Sequence, residues 1–151
     1  MKTILFKKRR QKTDYTCGIA SLSIAFSAFG EDYEEKELLR VTKVSEEYGS
    51  EEKDMVKAAR LLGFKVCSKK NSNMKEIKEA LNYEKPVIVL YLAWGDAHYS
   101  VIVGMTRTHL LLADPYKKGC VRQIRKDIFL KRWKPEKLPH VQKWMMTVSK
   151  E

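Results

Sequence analysis

The chain has 151 residues, 44% hydrophobic and 32% charged, a balance that supports one ordinary globular domain and excludes wholesale disorder. Thirty basic and 19 acidic residues give a net charge of +11, which suits an acidic partner surface, a nucleic acid or plain solubility and selects none of them. The three cysteines (Cys17, Cys67, Cys120) contain no CxxC pair and the three histidines no ligand spacing, so the chain is expected to hold no metal, no cofactor and no disulfide framework and to work in a reducing, cytoplasmic compartment.

The opening MKTILFKKRR carries an apolar run of only three residues, too short for a secretory signal. The longest apolar stretch, VIVLYLAW, has eight residues where a bilayer needs about 20, so no transmembrane segment is expected. Charge is spread unevenly: residues 1–16 carry +5, residues 31–57 carry −5 and residues 117–151 carry +8. If the two basic ends meet in space, they form a positive rim.

Along the chain, CGIASLSIAFSAFG (17–30) is uncharged and reads as a buried helix stopped by Gly30, with Asp14 or Thr16 as its cap. The segment EDYEEKELLRVTKV (31–44) has helical apolar spacing, acidic first and basic second, which suits a helix dipole. Ser50 then caps a third helix whose apolar face is Met55, Ala58, Ala59 and Leu62, ending at Gly63. Phe64–Val66 alternates as a short strand, KKNSN is a turn, and Asn73 caps a helix over 74–82.

Pro86 introduces the central strand VIVLYLAW, and WGDAH is a turn. YSVIVGM and HLLLAD read as neighbouring hairpin strands, and DPYKKG is a turn. Val121–Ile124 is an edge strand, Lys126–Trp133 a short helix, KPEKLP a loop and Trp144–Val148 a final strand. Helices first and strands afterwards predict an α+β fold in one domain over 1–151, with a helical part at about 14–62 and 73–82 packed on an antiparallel sheet at about 64–148.

Four residues draw attention as chemistry. Cys17 stands at the start of an apolar helix, where unpaired N–H groups and the dipole favour a thiolate, and Gly18 leaves space beside it. A buried structural cysteine is the alternative. His98 lies at the mouth of a strand, and Asp114 ends the next strand sixteen residues later, so a hairpin brings both to one sheet edge. There the carboxylate would fix the imidazole tautomer. Gln11, six residues before Cys17, has an amide able to donate to a developing oxyanion together with the Cys17 N–H. Trp94 and Tyr99 bracket His98 as candidate cleft walls, whereas Cys67, Cys120, His109 and His140 have no partner placed by the sequence.

The ordered set QKTDYTCGIASLSI, DAHYSVIVG and LLLADPYKKG resembles the C39 family of papain-like cysteine peptidases. AARLLGFKV and KPVIVL are similar to its intervening framework, and the likeness spans roughly residues 8 to 135. The resemblance implies a papain-like fold with Cys17 as nucleophile, His98 as general base, Asp114 as its orienting residue and Gln11 as oxyanion donor. It implies cleavage through an acyl-thioenzyme, in the best-known members after a Gly-Gly pair in a leader peptide. Those members are often the first domain of a peptide-exporting transporter; no G-x-x-x-x-G-K-[ST] or membrane segment occurs here, so a stand-alone peptidase acting on a peptide or protein substrate is expected. The same triad also serves an acyltransferase, transpeptidase or amidase, and members without the nucleophile bind leader peptides without cutting them. A nucleic-acid partner is not expected, because the basic ends lack any organising motif.

Overall fold

The computed structural model describes residues 3–47, 49–116, 121–135 and 138–150. Its helices are α1 (Cys17–Ser27), α2 (Glu35–Leu38), α3 (Glu52–Leu61), α4 (Met74–Asn82) and α5 (Lys126–Arg132). The strands are β1 (Lys65–Lys69), β2 (Val87–Ala93), β3 (Asp96–Met105), β4 (His109–Ala113), β5 (Val121–Arg125) and β6 (Met145–Ser149). They form one antiparallel sheet in the order β1-β6-β2-β3-β4-β5. This is the α+β arrangement anticipated from the sequence, with the helices packed on the sheet.

The core explains the uncharged stretch. Every residue of α1 from Gly18 to Phe26 is buried, so this helix has apolar or small side chains all round. Phe26 stacks on Phe64 with ring centroids 4.3 Å apart. Full burial of Ile19, Leu22 and Ile24 is worth about 1.5–3 kcal/mol each. Asn73 caps α4 as expected, its side chain accepting the Glu76 N–H at 2.9 Å.

Three local expectations are corrected. The helix anticipated over 31–44 is reduced to the four residues of α2, closed by a reciprocal Glu34–Glu37 capping box. Leu38 is its one buried residue, and the Val41-Thr42 and Val44 positions that follow are β-branched and disfavour continuation. Ser50 does not cap α3: Glu51 holds the cap position, while the Ser50 carbonyl accepts the Tyr99 hydroxyl at 2.8 Å. The turn anticipated over WGDAH shortens to Trp94-Gly95, because Asp96 and Ala97 already pair with Ala93 and Leu92. The DPYKKG turn and KPEKLP loop lie partly outside the described residues, as does Cys120.

Three basic residues from the two ends meet on an acidic corner. Lys7 and Arg9 both pair with Asp32, and Lys150 pairs with the adjacent Glu31 at 2.5 Å. Such exposed pairs are worth about 0–1 kcal/mol each. They tie Lys7, Arg9 and Lys150 to the segment between α1 and α2. β3 carries a bulge: Ile102 pairs with Leu112 and Gly104 with Leu111, which leaves Val103 unmatched. Its carbonyl accepts the Ile4 N–H at 2.8 Å.

Candidate active site

The register of the sheet assembles the first half of the site. Val101 pairs with Ala113, so Asp114 emerges one residue beyond the β4 ladder, close to the level of His98. The His98 Nε2–H donates to Asp114 Oδ1 at 2.8 Å, and both side chains are buried. Asp114 is more heavily bonded than a lone orienting carboxylate. The Tyr116 N–H donates to Oδ1 at 2.9 Å and Arg122 Nε donates to Oδ2 at 3.1 Å.

With Nε2 committed to Asp114, Nδ1 is the nitrogen left for a second partner. Cys17, half-buried at the first position of α1, acts on the protonation of this imidazole. Burial works to lower the His98 pKa, but the hydrogen bonds to Asp114 and Cys17 and the negative charge beside it outweigh burial and push it up to about 9. Asp114 shifts the other way. Burial favours its neutral form, yet the His98 hydrogen bond and charge, the Tyr116 N–H and Arg122 together hold it below the ordinary carboxylate value.

The start of α1 has no side-chain cap. Thr16 occupies the cap position, but its hydroxyl turns back, accepting the Thr13 N–H at 3.1 Å and donating to the Thr13 carbonyl at 3.2 Å. The first N–H groups of the helix therefore keep their donor capacity beside Cys17. Gln11 is tethered to the same neighbourhood: its backbone N–H donates to the Pro115 carbonyl at 2.7 Å, one residue from Asp114. Its side-chain amide donates one N–H to the Thr13 carbonyl at 2.8 Å. A primary amide carries two N–H donors, so one remains.

Gly18 has a different role from the one its position suggested. A Cβ built there would lie 3.1 Å from Met55 Sδ, 3.2 Å from Ser50 Cβ and 3.2 Å from Tyr99 Cδ2. The missing side chain lets α1 seat against α3 and β3; it does not open a path for substrate. Tyr99 is corrected with it. Adjacent strand residues point to opposite faces, so Tyr99 turns into the core while His98 faces the site.

Trp94 does flank His98, 5.2 Å away and edge-on. It also packs on Tyr116 at 4.5 Å and lies under the Arg122 guanidinium at 4.8 Å. Arg122, Tyr116 and Tyr91 are the residues that sequence reasoning missed. Arg122 also donates to the Tyr91 hydroxyl, and burial, opposed by Arg122, pushes Tyr91 up to about 12. Strand parity offered a signal, since Arg122 alternates with the buried Ile124 and therefore shares its face. Among the described residues no group of acidic, histidine or cysteine side chains is arranged to hold a metal ion.

Comparison with known proteins places the family and the fold. The model of the peptidase C39 family matches residues 6–141. Among solved structures, the peptidase domain of Streptococcus ComA, a bi-functional ABC transporter involved in a quorum-sensing pathway, superposes with a TM-score of 0.76 at 21% identity, covering 97% of this chain and 100% of that one. A double glycine motif protease from an AMS/PCAT transporter, solved with its leader peptide, gives 0.76 at 17% identity over 99% and 94%. A C39-like peptidase from Bacillus anthracis gives 0.79 at 15% identity over 100% and 98%. No curated protein matched the sequence. No described helix is long and apolar enough to cross a membrane.

Proposed function

This chain belongs to the peptidase C39 family, and from that membership we propose that it is a cysteine peptidase that cuts a peptide or protein substrate through an acyl-thioenzyme, with Cys17 as nucleophile, His98 as general base and acid, Asp114 as its orienting group and Gln11 as an oxyanion donor. The observation that carries the reading is the buried His98–Asp114 hydrogen bond at 2.8 Å, on an imidazole whose pKa is also raised by Cys17 at the start of α1.

In this reading the Cys17 sulfur attacks the scissile carbonyl carbon while its proton resides on His98. The oxyanion is held by the remaining Gln11 amide N–H and the uncapped backbone N–H of Cys17. The tetrahedral intermediate collapses as the C–N bond breaks and His98 gives its proton to the leaving amine. His98 then takes a proton from water, whose oxygen attacks the thioester carbon; the C–S bond breaks, the acid leaves, and the Cys17 thiolate is regenerated beside protonated His98. Asp114 stays ionised throughout and stabilises the imidazolium.

For the residues before the cut we propose a small pair such as Gly-Gly in a leader peptide. Family membership and the likeness to a double glycine motif protease support it; the space once expected beside Gly18 does not, because that space is filled by the core. The test is incubation with peptides containing a Gly-Gly site, with and without added amine nucleophiles. Hydrolysis at that site with a thioester adduct on Cys17, absent in Cys17→Ala, is the expected result. Amide products formed only when amine is added would replace the peptidase by an acyltransferase, and binding without either product would leave a docking domain.

A further inference from the structure

The far side of His98 carries features that the reaction does not consume. The type I′-like turn Trp94-Gly95 has positive φ at both residues, 51° and 83°. Glycine adopts such angles freely, but a bulky side chain there is an outlier that persists only where its surroundings hold it. Trp94 is held by His98, Tyr116 and Arg122, yet remains 52% exposed. Its outer surface opens on a cavity of about 380 Å³ lined by Leu92, Ala93, Trp94, Gly95, Arg122 and Arg132.

The lining combines an indole face with two guanidinium groups. Arg122 is fixed in place by Asp114, Tyr91 and Trp94, and of its five N–H donors two are used by the first two. Arg132 is exposed and makes no ion pair among the described residues. Asp114, the carboxylate that Arg122 holds, is also engaged by His98, and the lining itself carries two guanidinium groups and no carboxylate.

The direction of the substrate follows from the chemistry. The leaving nitrogen must receive its proton from the ring nitrogen of His98 that Asp114 does not hold, so the peptide beyond the cut passes close over the imidazole, and Trp94 stands edge-on to that ring. Imidazole to indole is 5.2 Å and indole to guanidinium 4.8 Å, within reach of the first two or three residues of extended chain at ~3.3 Å each.

We propose that this cavity is a carboxylate-binding subsite for the residues that follow the scissile bond, with Arg122 and Arg132 as the anion donors and Trp94 as its apolar wall. The substrates it favours bear Asp or Glu in the first two or three positions after the cut, or end there in a free α-carboxylate. The inference rests on the orientation of cleavage given by the peptidase reading. It assigns part of the unexplained positive charge to substrate selection.

Two measurements separate it from that reading. First, the Cys17→Ala protein is titrated with the amine-side tripeptide Ala-Glu-Ala amide, its Gln counterpart, and Ala-Ala as free acid and as amide, followed by tryptophan fluorescence. Trp133 and Trp144 are buried, so Trp94 is the exposed reporter. Binding of the glutamate peptide about 5–20-fold tighter than the glutamine peptide is expected, consistent with one charge-assisted contact in a partly exposed site. A preference for Ala-Ala acid over its amide would assign the carboxylate to a chain end rather than a side chain. Arg132→Glu should reverse the order, with Ala-Lys-Ala amide now preferred. Equal binding of all peptides overturns the subsite, whatever the enzyme does. Second, kcat/KM is compared for Gly-Gly peptides followed by Ala-Glu, Ala-Gln or Ala-Lys. Cleavage without preference overturns the subsite and leaves the peptidase; carboxylate-selective binding with no cleavage of any peptide keeps the subsite as a peptide-docking pocket and removes the peptidase reading.

Discussion

Two hairpins of the same sheet each present a histidine at the mouth of a strand, and they could hardly differ more. At the β2–β3 hairpin, His98 is buried, bonded to Asp114 and ringed by Trp94, Tyr116 and Tyr91. The turn that carries it is strained at Trp94. At the β3–β4 hairpin, His109 is half-buried, its ring bonded only to the neighbouring Thr108 hydroxyl, and its cross-strand partner is Arg125. That turn has no residue in the left-handed region and is closed by Thr106, whose hydroxyl accepts the His109 N–H at 2.9 Å. A histidine becomes a site through what the next strand sets across from it. In one case that is a carboxylate held by three donors, in the other a cation.

The comparison breaks most sharply at the histidines themselves. His98→Ala should lower kcat/KM on Gly-Gly peptides by at least about 10³-fold, since general acid–base transfer and thiol activation are lost together. His109→Ala should stay within about twofold, measured on the same substrates. Comparable losses in the two variants would remove the distinction.

Next comes Asp114. Asp114→Asn should reduce kcat/KM by about 10²–10⁴-fold, because the tautomer and the imidazolium lose their support. It should also change the pH profile. His98 keeps its proton up to about pH 9 in the folded protein, so the alkaline limb of kcat/KM lies near there, and removing the Asp114 charge moves that limb to lower pH. Linkage gives the same sign for folding. A pKa raised from the ordinary 6.5 to about 9 contributes stability that is complete below 6.5 and lost as pH rises through 9. Asp114, held low, contributes stability that is present above its ordinary value near 3.8 and lost as pH falls through its lowered value. Urea titrations from pH 6 to 10 should show the alkaline decline in the wild-type protein and a weaker one in His98→Gln.

A smaller effect is expected at Arg122. Arg122→Gln removes one donor from Asp114 and the cation over Trp94, and kcat/KM should fall about 5–30-fold, with the alkaline limb moving slightly upward as a positive charge leaves the carboxylate. An unchanged pH profile would mean that Arg122 does not act through Asp114. The smallest effect belongs to the other hairpin. Thr106→Ala should cost about 1 kcal/mol of stability by denaturant titration and leave kcat/KM unchanged, because its bonds close a turn remote from the thiol.

Much of this molecule was legible in its sequence where one local rule governs. The uncharged run from Cys17 to Phe26 reads as a buried helix, Asn73 as a cap, and the hairpin spacing carried His98 and Asp114 to one edge of the sheet. Cys17, His98, Asp114 and Gln11 were candidates on sequence alone, and all four lie in one neighbourhood. The reduction of 31–44 to a single turn was not legible, because apolar spacing reports which residues can share a face and not whether a neighbour is there to cover it. Nor was the meaning of Gly18: a glycine beside a reactive thiol looks like an opening until Met55, Ser50 and Tyr99 are seen to fill the space.

The net charge of +11 remained a number until the chain was folded. Periodicity along the sequence determined the elements, since a helix or strand is specified by residues a few positions apart. Only the tertiary structure decided what each charge does, because Coulomb interactions depend on separation and burial in space. It sent Lys7, Arg9 and Lys150 to the acidic corner at Glu31 and Asp32, and set Arg122 against Asp114 across a strand pair.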